Sequence, residues 1–348
     1  MTTTAWRLTV VAAAVSLTFT ARPSHADESG ISFWLPGLYG SFAATPATPG
    51  WSVATIYYHA TVNASGAAAA ARQFQIRRGA VPVSASLNVS LHGQADLMFI
   101  APTYTFATPV WGGQLSATLA GVYGRNSASL AGTLTAAAES IATTRDGFLQ
   151  DALVSYGDLY PTLKLKWNSG VHNYMIYGAG AVPTGDYDPN RLANIGIGHG
   201  AIDVGGGYTY FNPATGMEFS GVGGVTYNFK NPDTQYRSGM DLHFDWGVSH
   251  FLSKQVFVGL VGYAYQQVTD DSGQPAILGG FRSRVLGAGP QLGYMFPIGS
   301  NQAFLGLKGY GEFAADNRPA GWNSWLTFSI SESAPASTVA PTKHLVRK

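Results

Sequence analysis

Asp241-Leu242-His243-Phe244-Asp245-Trp246-Gly247-Val248-Ser249 is the stretch that decides the fold. Successive side chains of a strand point to opposite faces, so Asp241, His243, Asp245 and Ser249 share one side while Leu242, Phe244, Trp246 and Val248 share the other. A sheet with one wet face and one greasy face wants that pattern. Leu87, Val89 and Leu91 alternate in the same way with Asn88, Ser90, His92, Gln94 and Asp96. Leu163, Leu165 and Trp167 alternate with Thr162, Lys164 and Lys166.

Extending the period-two reading outward predicts twelve strands, over residues 51 to 63, 86 to 106, 113 to 130, 156 to 168, 171 to 182, 200 to 211, 215 to 229, 239 to 251, 255 to 268, 282 to 296, 302 to 315 and 321 to 330. Tight turns are expected at Asn168-Ser169-Gly170, Asn212-Pro213-Ala214, Leu252-Ser253-Lys254 and between Pro297 and Asn301, with longer loops at the other end. An even strand number with that asymmetry is the signature of an all-β, antiparallel up-and-down transmembrane barrel. Trp111, Trp167, Phe211, Phe251 and Phe296 lie near the turns and are expected to form an interfacial girdle. Residues 64 to 82 and 131 to 155, rich in Ala, Ser and Thr, are expected to be outer loops.

Composition supports the same class. Charged residues make up 11% of the chain, beside 18 Tyr, 18 Phe, 8 Trp and 43 Gly, whereas about a quarter of an ordinary soluble domain is charged. The net charge of +1 gives no electrostatic case for nucleic acid. With no cysteine, disulfides, thiol catalysis and thiolate metal sites are excluded.

Arg7, the apolar run over residues 8 to 20 and Ser24-His25-Ala26 read as a signal peptide over residues 1 to 26, cleaved after Ala26. The run falls short of the roughly 20 residues a spanning helix needs. Residues 27 to 49, with Phe33 and Trp34, are expected to form a plug or rim segment, 50 to 330 the barrel, and 331 to 348 a disordered tail. The location expected is the outer membrane of a Gram-negative bacterium, with outer-membrane lipid, the barrel-assembly machinery and a small solute as partners.

Gly30-Ile31-Ser32-Phe33-Trp34-Leu35-Pro36-Gly37, Pro49-Gly50-Trp51-Ser52 and Tyr57-Tyr58 begin a set of motifs running through nearly all of the expected mature chain. Gly157-Asp158-Leu159-Tyr160-Pro161, the stretch from Arg191 through His199 to Asp203, Tyr227-Asn228-Phe229-Lys230-Asn231-Pro232, Arg318-Pro319 and Gly321-Trp322-Asn323 continue it. Together they resemble the outer-membrane protein family of the phenol meta-degradation pathway. The resemblance implies an outer-membrane barrel, described as a transporter and associated with aromatic-compound degradation, and it brings no catalytic residues. One departure is the end of the chain: such barrels commonly finish on an aromatic residue, whereas Phe328 is followed by Ser329, Ile330 and a basic tail.

The functional candidates are the residues assigned to the lumen: Asp96, Lys164, Lys166, Glu218, Asp241, His243, Asp245, Lys308, Tyr310 and Glu312. Both signs occur, so ion pairs between neighbouring strands are expected, and no single-sign ring names a filter. Asp241 or Asp245 beside His243 could orient an imidazole for a hydrolase, but a hydrogen-bonded lumen wall explains the same residues without a reaction. His59, His92, His172, His199 and His250 have no metal-ligand spacing. Gly196-Ile197-Gly198-His199-Gly200 precedes a strand, so it is not a dinucleotide loop. Interior glycines such as Gly205, Gly224 and Gly287 read as devices for bending barrel strands. The function expected is passive uptake of small aromatic or otherwise hydrophobic molecules without a cofactor, metal or catalytic residue. The alternatives are a non-conducting structural or adhesion barrel and, behind it, a barrel-embedded hydrolase.

Overall fold

A computed structural model of the chain describes residues 32–76, 79–138, 141–273 and 282–332. The signal-peptide reading and most of the tail fall outside these residues. The strands are β1 (Gly50–Ile76), β2 (Gly79–Thr105), β3 (Gln114–Ala138), β4 (Ile141–Ser169), β5 (His172–Ala181), β6 (Ala201–Asn212) and β7 (Met217–Asn228). They continue with β8 (Tyr236–Arg237), β9 (Asp241–Phe251), β10 (Val256–Gln267), β11 (Ser272–Gly273), β12 (Arg284–Ile298), β13 (Asn301–Asp316) and β14 (Ala320–Glu332). Twelve of them close an antiparallel barrel in which each pairs with its neighbours in sequence and β1 returns to β14; β8 and β11 form a separate ribbon. Closure leaves the barrel itself without an edge for another chain to pair with.

Alternation holds where the wall has an apolar outside: along β9 the residues assigned to the wet face are buried inward and Leu242, Phe244 and Val248 are exposed outward. Ile100, Leu119, Leu163, Val204, Leu260 and Leu307 extend this outer apolar surface to other strands. Among the described residues no helix is long and apolar enough to cross a membrane.

All twelve predicted strands are present, but the first four are far longer than expected. Of the residues assigned to outer loops, 64 to 76 lengthen β1, 79 to 82 lengthen β2, 131 to 138 lengthen β3 and 141 to 155 lengthen β4, with pairing out to Ile76↔Gly79 and Ala138↔Ile141. A tilted spanning strand needs about 9–11 residues, and β1 has 27. The surplus projects beyond the lipid belt, where neither face has to be apolar. Pairing therefore persists there while the hydrophobic period that would reveal it disappears.

The girdle also needs correction. Trp111, Trp167 and Phe296 lie outside near the turn end, with Trp51, Tyr104, Phe106 and Tyr294 in the same belt. Phe211 and Phe251 instead point inward and meet Phe42 edge-on at 5.2 and 5.6 Å between ring centroids. Each lies on the inward parity of its strand, and nearness to a turn says nothing about parity.

Candidate functional site in the barrel lumen

Residues 32 to 49 run inside the barrel against its inner wall. They form no strand there, so their backbone groups need side-chain partners, and an unpartnered buried amide is costly. Asp245 takes the amides of Gly37 and Tyr39, each at 3.0 Å. Glu218 takes that of Phe42 at 2.9 Å, and Thr209 that of Ala44 at 3.0 Å. Lys308 donates to the carbonyls of Gly37 and Leu38 at 2.6 and 3.1 Å, and Tyr310 to that of Gly37 at 3.3 Å. Only glycine fits at position 37: its φ is 87°, and a Cβ there would strike the Tyr310 ring.

Trp34 lies over His243, nearly parallel, at 3.5 Å between ring centroids, and packs beside Tyr177. His243 Nε2 meets Asp203 at 2.8 Å, and Thr226 donates to the same carboxylate oxygen. The partner of the imidazole is thus Asp203 of β6, neither Asp241 nor Asp245. Among the described residues its Nδ1 has no hydrogen-bond partner and no hydroxyl bonds either ring nitrogen. A hydrolase would need a nucleophile there and an open approach; Trp34 occupies the approach. Gly224, read as a bending device, makes room instead: a Cβ would collide with Tyr177 and His243.

Of the other candidates, Asp241 accepts from Asn228 at 2.9 Å, and Glu312 accepts from Tyr263 and from the Gly321 amide, both at 2.8 Å. Lys166 donates to the Thr45 carbonyl at 2.9 Å, and Lys164 lies over the Tyr39 ring. All of these point inward. Asp96 does not: it bonds Tyr57 and His59 on the outer face at 2.6 and 2.7 Å, beside the exposed Met98. On β2 the polar set from Asn88 to Asp96 faces out because that part of the strand approaches the projecting hairpin. The expected ion pairs between neighbouring strands are not formed by the lumen lysines, since Lys166 and Lys308 bind backbone carbonyls of the inner segment.

A second inward segment was not anticipated. The β5–β6 connection buries Ala193, Asn194, Ile195, Ile197 and His199. Asp158 holds it by taking the amides of Gly185 and Ile197, both at 2.8 Å, and Asp151 pairs with Arg191 at 2.9 Å. That contact holds the Arg191 guanidinium above its ordinary range. The motifs that carried the family resemblance, Gly157-Asp158 and Arg191 to Gly200, are the two sides of this contact. Their joint recurrence in the resemblance was the available signal.

The anchors of residues 37 to 44 all lie on β6, β7, β9, β12 and β13. Opposite them, between Phe33 to Tyr39 and the wall of β1 to β5, is a cavity of about 320 Å³ with Phe99, Tyr160, Lys164 and Trp325 in its lining. A smaller one of about 120 Å³ lies farther toward the loop end, lined by Tyr58, Leu97, Asn126, Glu312 and Arg318. Leu35 borders both. Among the described residues no group of three or more His, Asp or Glu is placed to hold a metal ion.

A family model described as "Putative MetA-pathway of phenol degradation" matches residues 77–328. The fold is similar to that of the COG4313 outer membrane channel from Pseudomonas putida F1, with a TM-score of 0.56 and 13% identity over 84% of this chain and 100% of that one. A Pseudomonas aeruginosa FadL homologue shows a looser likeness, with a TM-score of 0.41 and 7% identity over 89% of this chain and 98% of that one. No curated protein matches the sequence.

Proposed function

The chain belongs to the MetA-pathway of phenol degradation family, and from that membership we propose an outer-membrane channel for passive uptake of small aromatic or otherwise hydrophobic compounds. The observation that carries this reading is the asymmetric lumen. Residues 32 to 49 act as a plug whose stretch from Gly37 to Ala44 is fastened to one half of the wall, while Lys166 and Gln114 hold only its end at Thr45 and Ala47, and two cavities sharing Leu35 follow the wall of β1 to β5. In this reading a solute enters at the loop end, passes the buried β5–β6 segment, crosses the smaller cavity and reaches the larger one beside Phe33. The tight turns face the periplasm and the long hairpins of β1 to β4 face outward, as in barrels of this kind. The exposed apolar wall meets lipid, and β14 with Phe328 is the segment the assembly machinery would read. No covalent step or cofactor is invoked.

A non-conducting barrel is the second reading, favoured by the dense packing of Trp34 and of the β5–β6 segment. Proteoliposomes carrying lipopolysaccharide separate the two. The channel predicts that phenol and benzoate enter faster than into protein-free vesicles of the same lipid; equal rates would leave the structural reading.

A further inference from the structure

Lys164 differs from the other lumen lysines. Lys166 and Lys308 spend their ammonium groups on carbonyls of the plug. Lys164 makes no hydrogen bond or ion pair among the described residues, and its Nζ sits 4.9 Å from the centroid of the Tyr39 ring. Lys164 is half-buried and lines the cavity, so its ammonium has the Tyr39 ring for company and no anionic acceptor among the described residues, and a cation–π contact leaves its hydrogen-bond donors open to a ligand.

The surroundings of Lys164 are built for one kind of partner. Thr103 pairs with Thr118 and Thr118 with Thr162, a row across β2, β3 and β4. The first two hydroxyls are 2.7 Å apart, and Thr162 precedes Lys164 by one step on the same inward face. All three threonines and Lys164 line the cavity of about 320 Å³, together with Phe33, Tyr39, Phe99, Tyr160 and Trp325. Among the described residues no Asp or Glu lines it; Asp203, Glu218, Asp241 and Asp245 belong to β6, β7 and β9 and bind other groups. The cavity therefore offers a cation and hydroxyls toward the turn end, with Phe99 and Tyr160 on the same strands toward the loop end and Phe33 and Tyr39 facing them from the inner segment, and a volume in the small-ligand range.

We propose that this cavity is a binding site for aromatic carboxylates of about benzoate size, the carboxylate resting on Lys164 and the threonine row and the ring among Phe33, Phe99, Tyr160 and Trp325. This deepens the uptake reading, on which its physiological use rests, by naming the substrate class.

The test is calorimetric titration of the full chain in detergent with benzoate, benzamide and toluene at neutral pH. Benzoate should bind more tightly than benzamide, which has the same shape without the charge. Lys164→Met should weaken benzoate at least about tenfold, as expected for a charged hydrogen bond, and leave toluene unchanged; Lys164→Arg should retain benzoate. Equal affinity for benzoate and benzamide in the unmodified protein overturns the proposal whatever the variants do, and so does a Lys164→Met protein that binds benzoate normally. The uptake reading fails separately. Charge-dependent binding without vesicle entry upholds the site and removes the channel, whereas phenol entry without Lys164-dependent benzoate binding does the reverse.

Discussion

Asp245 offers two carboxylate oxygens and each is taken by a different amide of the plug, Gly37 and Tyr39. Asp245→Asn keeps one acceptor and turns an NH₂ toward the other amide. The expected cost is about 1.5–3 kcal/mol of plug attachment, the worth of a hydrogen bond to a charged group. Mass-spectrometric hydrogen exchange should show peptides spanning residues 37 to 39 exchanging faster while β9 itself stays protected; unchanged exchange would mean that the plug is held elsewhere. At this scale the sequence was informative about direction and silent about partners. Alternation placed Lys164, Lys166, Glu218, Asp241, His243, Asp245, Lys308, Tyr310 and Glu312 on inward faces. It misplaced Asp96, where the outside is no longer lipid and polarity stops marking the lumen. That Asp245 meets Gly37 was not legible, because 208 residues separate the two and only barrel closure joins them.

Among the elements, β4 shows how one irregularity builds part of the site. Gly121 faces Leu159 and Tyr123 faces Tyr156, so β4 carries one residue more than β3 over this interval. Such a bulge re-aims side chains. Tyr156 and Leu159 both remain exposed while Asp158 is turned inward and fully buried, to the amides of Gly185 and Ile197. Asp158→Ala removes both acceptors. The β5–β6 segment should then loosen, seen as faster protease cleavage within residues 185 to 197 and faster benzoate entry into proteoliposomes. Slower or unchanged entry would show that this segment does not restrict the path. Strand existence was readable from alternation and turn chemistry, since all twelve elements have one apolar face somewhere along their length. Strand ends and the bulge were not, because beyond the lipid belt pairing needs no apolar face and a single inserted residue leaves no compositional mark.

Over the whole molecule, the lumen divides into two halves with different chemistry. The half built from β6, β7, β9, β12 and β13 spends its charges on the plug and on itself. The half built from β1 to β5 holds the plug only at Thr45 and Ala47, through Lys166 and Gln114; beyond that it is faced by aromatic rings, threonines and one unspent ammonium, and it borders the larger cavity. The central claim is that solute passes along this second half, and the most direct measurement is benzoate entry into lipopolysaccharide-bearing proteoliposomes containing Ala120→Trp. Ala120 lines the larger cavity on β3, which stands across the closed barrel from β7, β9 and β13, so an indole there fills the route while Asp245, Glu218 and Lys308 keep their hold on the plug. The account predicts that entry falls toward the protein-free rate while Ala120→Val stays near the unmodified rate. Entry through Ala120→Trp at the unmodified rate would contradict it.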